Sequence, residues 1–246
     1  MKRYRRQIVL GILLIAVSVF FYLVHYAIFR NSHHIFLYLI GDLAFLPIQV
    51  LFVTLIIDEL LSERERRDML KKTNMAIGTF FSQVGTELLR LFSGFNPKSD
   101  EIRKNLLVTN EWSEKEFAEV SKRIKNHDYA VNSINGNLES LRSFLIGERD
   151  FLLRLLGNPN LLEHESFTDL LWAVFHLTDE LAHRKDVKNL SDADYEHLSI
   201  DIKRAYTQLI SEWLSYMKHL KKDYPYLFSL AIRTNPFDLN ASAEVR

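Results

Sequence analysis

The chain has 246 residues, and its 31 Lys and Arg balance 31 Asp and Glu to a formal charge of zero. No cysteine is present, which excludes a disulfide scaffold, a thiolate zinc site, a cysteine nucleophile and a cysteine-held iron–sulfur cluster. Eight Gly and five Pro are too few for a collagen-like, Gly/Pro-rich or turn-rich all-β chain.

The neutral balance conceals two unlike parts. Residues 1–57 carry Lys2, Arg3, Arg5, Arg6, Arg30 and Asp42 as their only Lys, Arg, Asp or Glu. Gln7–Phe29 and Ile35–Ile57 are apolar runs of 23 residues each, separated by Arg30-Asn31-Ser32-His33-His34. A hydrocarbon core of about 30 Å needs about 20 helical residues, so each run is long enough to cross. The first is too long for a cleaved signal peptide and lacks a small-x-small cleavage site. The expected structure is a transmembrane hairpin over residues 1–57, with helices at about 7–29 and 35–57. Lys and Arg cluster before the first run and after the second, at Arg64, Arg66, Arg67, Lys71 and Lys72. The positive-inside rule then places both termini in the cytoplasm, in the cell (inner) membrane.

Asp42 is the ionisable group deepest in the second run, about 11 Å from its outer end at 1.5 Å per residue. In an antiparallel hairpin Tyr22, His25 and Tyr26 lie at similar depth, and a Tyr hydroxyl or His N–H is expected to satisfy its carboxyl. Pro47 frees the Leu43 carbonyl. Together with Gly41 these groups are also the parts of a cation site, if several subunits bring them together.

Residues 58–95 contain no Pro and read as a juxtamembrane helix. Leu70, Ile77, Val84 and Leu91 repeat by seven, interleaved with Asn74, Phe81, Leu88 and Phe95, which is a coiled-coil-like seam. Such a seam is expected to drive self-association, with Asn74 fixing register. Gly78, Ser82 and Gly85 form a stripe of small residues beside it.

Residues 99–235 read as a cytoplasmic bundle of four to five helices, so the fold class is an all-α membrane protein. Ser93–Asp100 is a turn, and Ser113-Glu-Lys-Glu116 is a capping box for a helix to about Lys125. One helix is expected over Asn137–Leu156, another over Phe167–Arg184, and a long one from the Ser191 cap to about Asp223. Tyr224–Phe237 reads as a core-sealing segment whose Arg233 finds an acidic partner, the alternative being a docking surface for a partner or the membrane face. Residues 236–246 form a polar tail, expected to be disordered from Asn240.

His176, Glu180 and His183 stand at i, i+4, i+7 on one helical face, a stripe that Asp169 and Ala173 extend, and two imidazoles with a carboxylate suit zinc or non-haem iron. Glu180-Leu-Ala-His183 resembles the Glu-x-x-His of di-iron bundles, and His176-x-x-x-Glu180 resembles part of the hemerythrin-like pattern. The second Glu-x-x-His of the one and the His-x-x-x-His of the other are absent. The apolar stripe of this helix lies opposite, so the His/Glu face is expected to point at water, with no cofactor required. Lys122-Arg123-Ile-Lys125 and Lys221-Lys222 are diluted by acids, which argues against a nucleic-acid partner. No nucleophile elbow, Walker loop or dinucleotide fingerprint is found.

The sequence therefore leads to a non-enzymatic membrane protein anchoring a cytoplasmic helical scaffold or signalling module. Its expected partners are the lipid bilayer, further copies of itself and a cytoplasmic protein. The alternatives are a small homo-oligomeric cation channel, with Asp42 near the outer mouth of a path lined by the second span, and a membrane-tethered metal-binding protein.

Overall fold

The computed structural model describes residues 2–30, 32–161 and 164–244. These residues are helical without strands, and they divide into two compact units, residues 1–66 and 67–246. In the first unit, α1 (Lys2–Phe29) ends at Arg30, whose left-handed backbone (φ 52°) turns its N–H onto the Tyr26 carbonyl at 2.9 Å. α2 (Ser32–Phe80) runs unbroken through Pro47. Gly11–Phe29 and the start of Ile35–Ser93 are long and apolar enough to cross a membrane, by length and composition. The described large apolar side chains from Val9 to Phe29 are between 36% and 67% exposed, and those from Phe36 to Ile57 are comparably open. Among its described residues the unit therefore has no apolar core of its own.

The second unit is built round a buried seam. α2 gives way to a π-helical turn over Phe81–Gly85, then α3 (Thr86–Ser93). The wide turn brings the Thr86 N–H onto the Phe81 carbonyl, and Thr86 Oγ1 donates to the same oxygen at 2.7 Å. It lets two adjacent rings face inward: Phe80 packs edge-on against Phe167 and Phe81 stacks on Tyr216, with centroids 5.3 and 5.0 Å apart. Gly85 makes room for this, since a Cβ there would sit 2.5 Å from the Phe81 ring.

The heptad residues thus face their own domain. Ile77, Phe81, Val84 and Leu88 are buried in the core, Leu91 is half-buried against it, and Leu70 lies half exposed outside it. Asn74 Nδ2 sits 3.5 Å from His219 Nδ1. The expectation of a seam between chains is corrected here. The period of a helix cannot distinguish a partner helix of the same chain from one of another.

The bundle is completed by α4 (Ser99–Asn105), α5 (Glu114–Lys125), α6 (Leu138–Gly147), α7 (Arg149–Leu156), α8 (Glu165–His183), α9 (Asp192–Asp223) and α10 (Pro225–Arg233). The Ser113–Glu116 capping box forms as read, and Ser191 Oγ caps α9 at the Asp194 N–H. Seven helices, not four or five, fill residues 99–235 among the described residues. The stretch expected as one helix breaks at Glu148, so that Leu141 and Leu145 of α6 and Leu152 of α7 all reach the core. α9 is the central rod, and its Leu198, Ile202, Tyr206, Leu209 and Ile210 have no exposed surface.

The C-terminal segment seals the core through Phe228 and Phe237, the latter edge-on to Trp213. Arg233 meets no acid among the described residues; it donates to the carbonyls of Ser229 and Ala243. Residues 238–244 fold back, with the Ser242 N–H on the Arg233 carbonyl at 2.9 Å, so the expectation of a disordered tail is corrected for residues 240–244. Val245 and Arg246 lie outside the described residues.

Two substitutions test this core. Phe81→Asp, which buries an unpaired charge, is expected to cost more than about 3 kcal/mol and to unfold the helical domain, without converting one well-folded assembly into another. Gly85→Ala is expected to lower the melting temperature of the full chain in detergent, read by circular dichroism, because the Phe81 ring is held in the core.

Candidate functional site

α8 and α9 run antiparallel through the centre of the second unit, and their register places His176 opposite Asp201 and Glu180 opposite His197. Each helix supplies a histidine and, four residues on, a carboxylate. His176 Nε2 and His197 Nε2 lie 3.4 and 3.3 Å from Asp201 Oδ2. His176 Nε2 is 3.9 Å from Glu180 Oε1, and His197 Nε2 is 3.7 Å from Glu180 Oε2. Ligand atoms of His176, Glu180 and His197 all fall within 4.8 Å of one another. The cluster sits at the rim of the interface: the histidines are about half exposed, Glu180 is 30% exposed, and Asp201 is buried at 3%.

Arginines hold both carboxylates from outside. Arg184 Nη1 donates to Glu180 Oε2 at 2.7 Å, and its Nη2 reaches Asp194 Oδ1 at 3.1 Å. This hydrogen bond keeps the Glu180 carboxyl below the usual carboxylate range against the opposing effect of burial. Arg204 Nη1 donates to Asp201 Oδ1 at 3.0 Å. Asp201 Oδ2, buried and turned toward the two imidazoles, accepts no hydrogen bond: both nitrogens are at ion-pair distance but off the hydrogen-bonding direction.

Residues 69–233 match the family described as "Uncharacterized protein MJ1433, C-terminal helical domain", and residues 2–61 match "MJ1433, N-terminal helical domain". A protein of Methanocaldococcus jannaschii, "Uncharacterized protein MJ1433", is 45% identical over 237 residues, covering 96% of this chain and 94% of its own. The chain belongs to the MJ1433 family. No solved structure matches it. The boundary between the two MJ1433 domains, residues 61 to 69, brackets the division of the structure at Arg66.

Within this MJ1433-family chain the metal-type residues expected from sequence are partly reassigned. His176 and Glu180 belong to the cluster, but His183 does not; it is exposed, and its Nδ1 lies 2.8 Å from the Asp179 carbonyl of its own helix. His197 and Asp201 take its place. The His/Glu face points at water in part: Asp169, His176 and His183 are exposed, whereas Glu180 is half-buried at the α9 edge and Ala173 of the same stripe is buried. The missed signal was a second His-x-x-x-acid on the next helix, His197 to Asp201, recognisable only once the two helices are paired antiparallel.

Asp42 is not met by the groups expected to satisfy it. It is exposed and has no hydrogen-bond or ion-pair partner among the described residues, Tyr22 and His25 included. His25 Nδ1 has no hydrogen-bond partner among the described residues, its ring lying 4.7 Å from that of Phe29.

Removing Arg184 should loosen the α8–α9 edge. Arg184→Leu, which leaves Glu180 and Asp194 without their cation, is expected to cost about 1–3 kcal/mol. His183→Ala should stay within about 0.5 kcal/mol of the parent. Chemical denaturation of the two variants checks both values.

Proposed function

We propose that the protein is an integral membrane protein of the cell membrane, with a two-span hairpin at residues 7–29 and 35–57 and both termini in the cytoplasm. In this reading it is non-enzymatic and anchors the helical second unit as a scaffold or signalling module at the membrane surface. The observation that carries the reading is the exposed apolar surface of α1 and the first part of α2. A large apolar side chain kept in water forgoes about 1.5–3 kcal/mol relative to burial. Summed over two runs of 23 residues, the deficit is on the order of tens of kcal/mol, beyond the 5–15 kcal/mol that typically stabilises a domain. Lipid removes it. The clefts beside the π-helical turn, of about 460 and 530 Å³, are edged by exposed Met75, Leu227 and Leu230 and offer a docking place for a cytoplasmic protein partner.

Because the chain has no cysteine, single cysteines report topology cleanly. Ser32→Cys is expected to react with a membrane-impermeant maleimide in intact cells, and Ala243→Cys only after lysis. The opposite pattern would place the second unit outside.

A second reading, a small homo-oligomeric cation channel lined by the second span, is favoured by the unpartnered Asp42. A carboxyl in lipid without a partner in its own chain favours association with other copies. Asp42→Asn is expected to change reconstituted cation flux and the assembly size in mild detergent. A monomeric parent with no flux leaves the anchor reading alone.

A further inference from the structure

We propose that His176, Glu180, His197 and Asp201 form a binding site for a divalent first-row transition-metal ion that clamps α8 to α9. Two imidazole nitrogens and two carboxylate oxygens are a donor set that suits zinc or ferrous iron. Bonds of 2.0–2.2 Å to a tetrahedral ion place neighbouring donors about 3.3–3.6 Å apart. Ligand atoms of His176, Glu180 and His197 lie within 4.8 Å of one another, and Asp201 Oδ2 stands 3.4 and 3.3 Å from the two imidazole nitrogens, so side-chain rotation that draws in Glu180 Oε1, now 3.9 Å from His176 Nε2, is what closes a shell.

The arginines divide each carboxylate in two. Arg204 occupies Asp201 Oδ1 and leaves Oδ2 facing the imidazoles; Arg184 occupies Glu180 Oε2 and leaves Oε1 on the His176 side. Such outer hydrogen bonds are what orient ligating carboxylates. An ion-pair staple alone gives no reason for a buried carboxylate oxygen, 3.3–3.4 Å from two nitrogens, to accept a hydrogen bond from neither. A cation seated between them does: oxygen and both nitrogens then turn their lone pairs toward the ion. The half-exposed histidines leave its outer side open to solvent, so the ion can enter without opening the bundle.

Zinc binding to the full chain in detergent tests the site. The protein is purified with a tag free of histidine, stripped with chelator and titrated calorimetrically with Zn(II), alongside the near-isosteric His197→Gln and Asp201→Asn variants and the control His183→Ala. Circular dichroism of the stripped variants checks that their helices are intact. The proposal expects one equivalent bound by the parent and by His183→Ala, and affinity at least about tenfold weaker in His197→Gln and Asp201→Asn. Zinc should also raise the melting temperature of the parent but not of these two variants, and Co(II) should give an intense tetrahedral visible band that they lose. Absence of zinc binding by the parent, or binding of equal affinity in parent and variants, overturns the proposal.

Discussion

An apolar surface has to be covered, and that requirement organises this chain. Its first unit carries two helices whose described large apolar side chains, Val9 to Phe29 and Phe36 to Ile57, are exposed, with no core among the described residues to absorb the cost. A helix satisfies most of its backbone groups within itself, which is the condition for a segment to be stable where water is absent; in α2, Pro47 leaves the Leu43 carbonyl without its helical donor. The second unit solves the same problem internally. There the apolar residues of ten helical segments, counting the C-terminal part of α2 and the π-helical turn, close on one core around α9. The division at Arg66 marks the change from outward to inward apolar faces, and it falls between the two family domains.

The helix entering the second unit shows how one pattern serves two ends. Its seven-residue period would serve a coiled coil, yet Ile77, Phe81, Val84 and Leu88 are consumed by the bundle, and the π-helical turn at Phe81–Gly85 shifts the inward face so that Phe80 joins them. Gly78 and Gly85, which read as a surface for close helix approach, instead accommodate Tyr216 and the Phe80 and Phe81 rings. Both features are local answers to the same need, the admission of large aromatic rings beside a helix backbone.

Much of the fold was legible because it rests on local chemistry. The Ser113–Glu116 box, the Ser191 cap and the all-helical class follow from residues a few positions apart. What the sequence withheld depends on distant pairing. The break at Glu148 is set by which leucines reach the core, and the recruitment of Leu91 and Leu88 by their own domain is set by α9, more than 100 residues away in sequence. The same holds for the site. His176 and Glu180 were visible as a pair on one helix, whereas His197 and Asp201 join them only through the antiparallel register of α8 and α9, and His183 drops out because its ring turns back to the Asp179 carbonyl. A single helical face can nominate half of such a cluster; the other half comes from the neighbour.

The central claim is that the apolar surface of residues 7–57 is covered by lipid. Fractionation of cells expressing the full chain tests it most directly. The account predicts that the protein sediments with membranes, stays there through an alkaline carbonate wash and is released by detergent. A full-length chain recovered in the aqueous fraction as a stable, monodisperse species would contradict it.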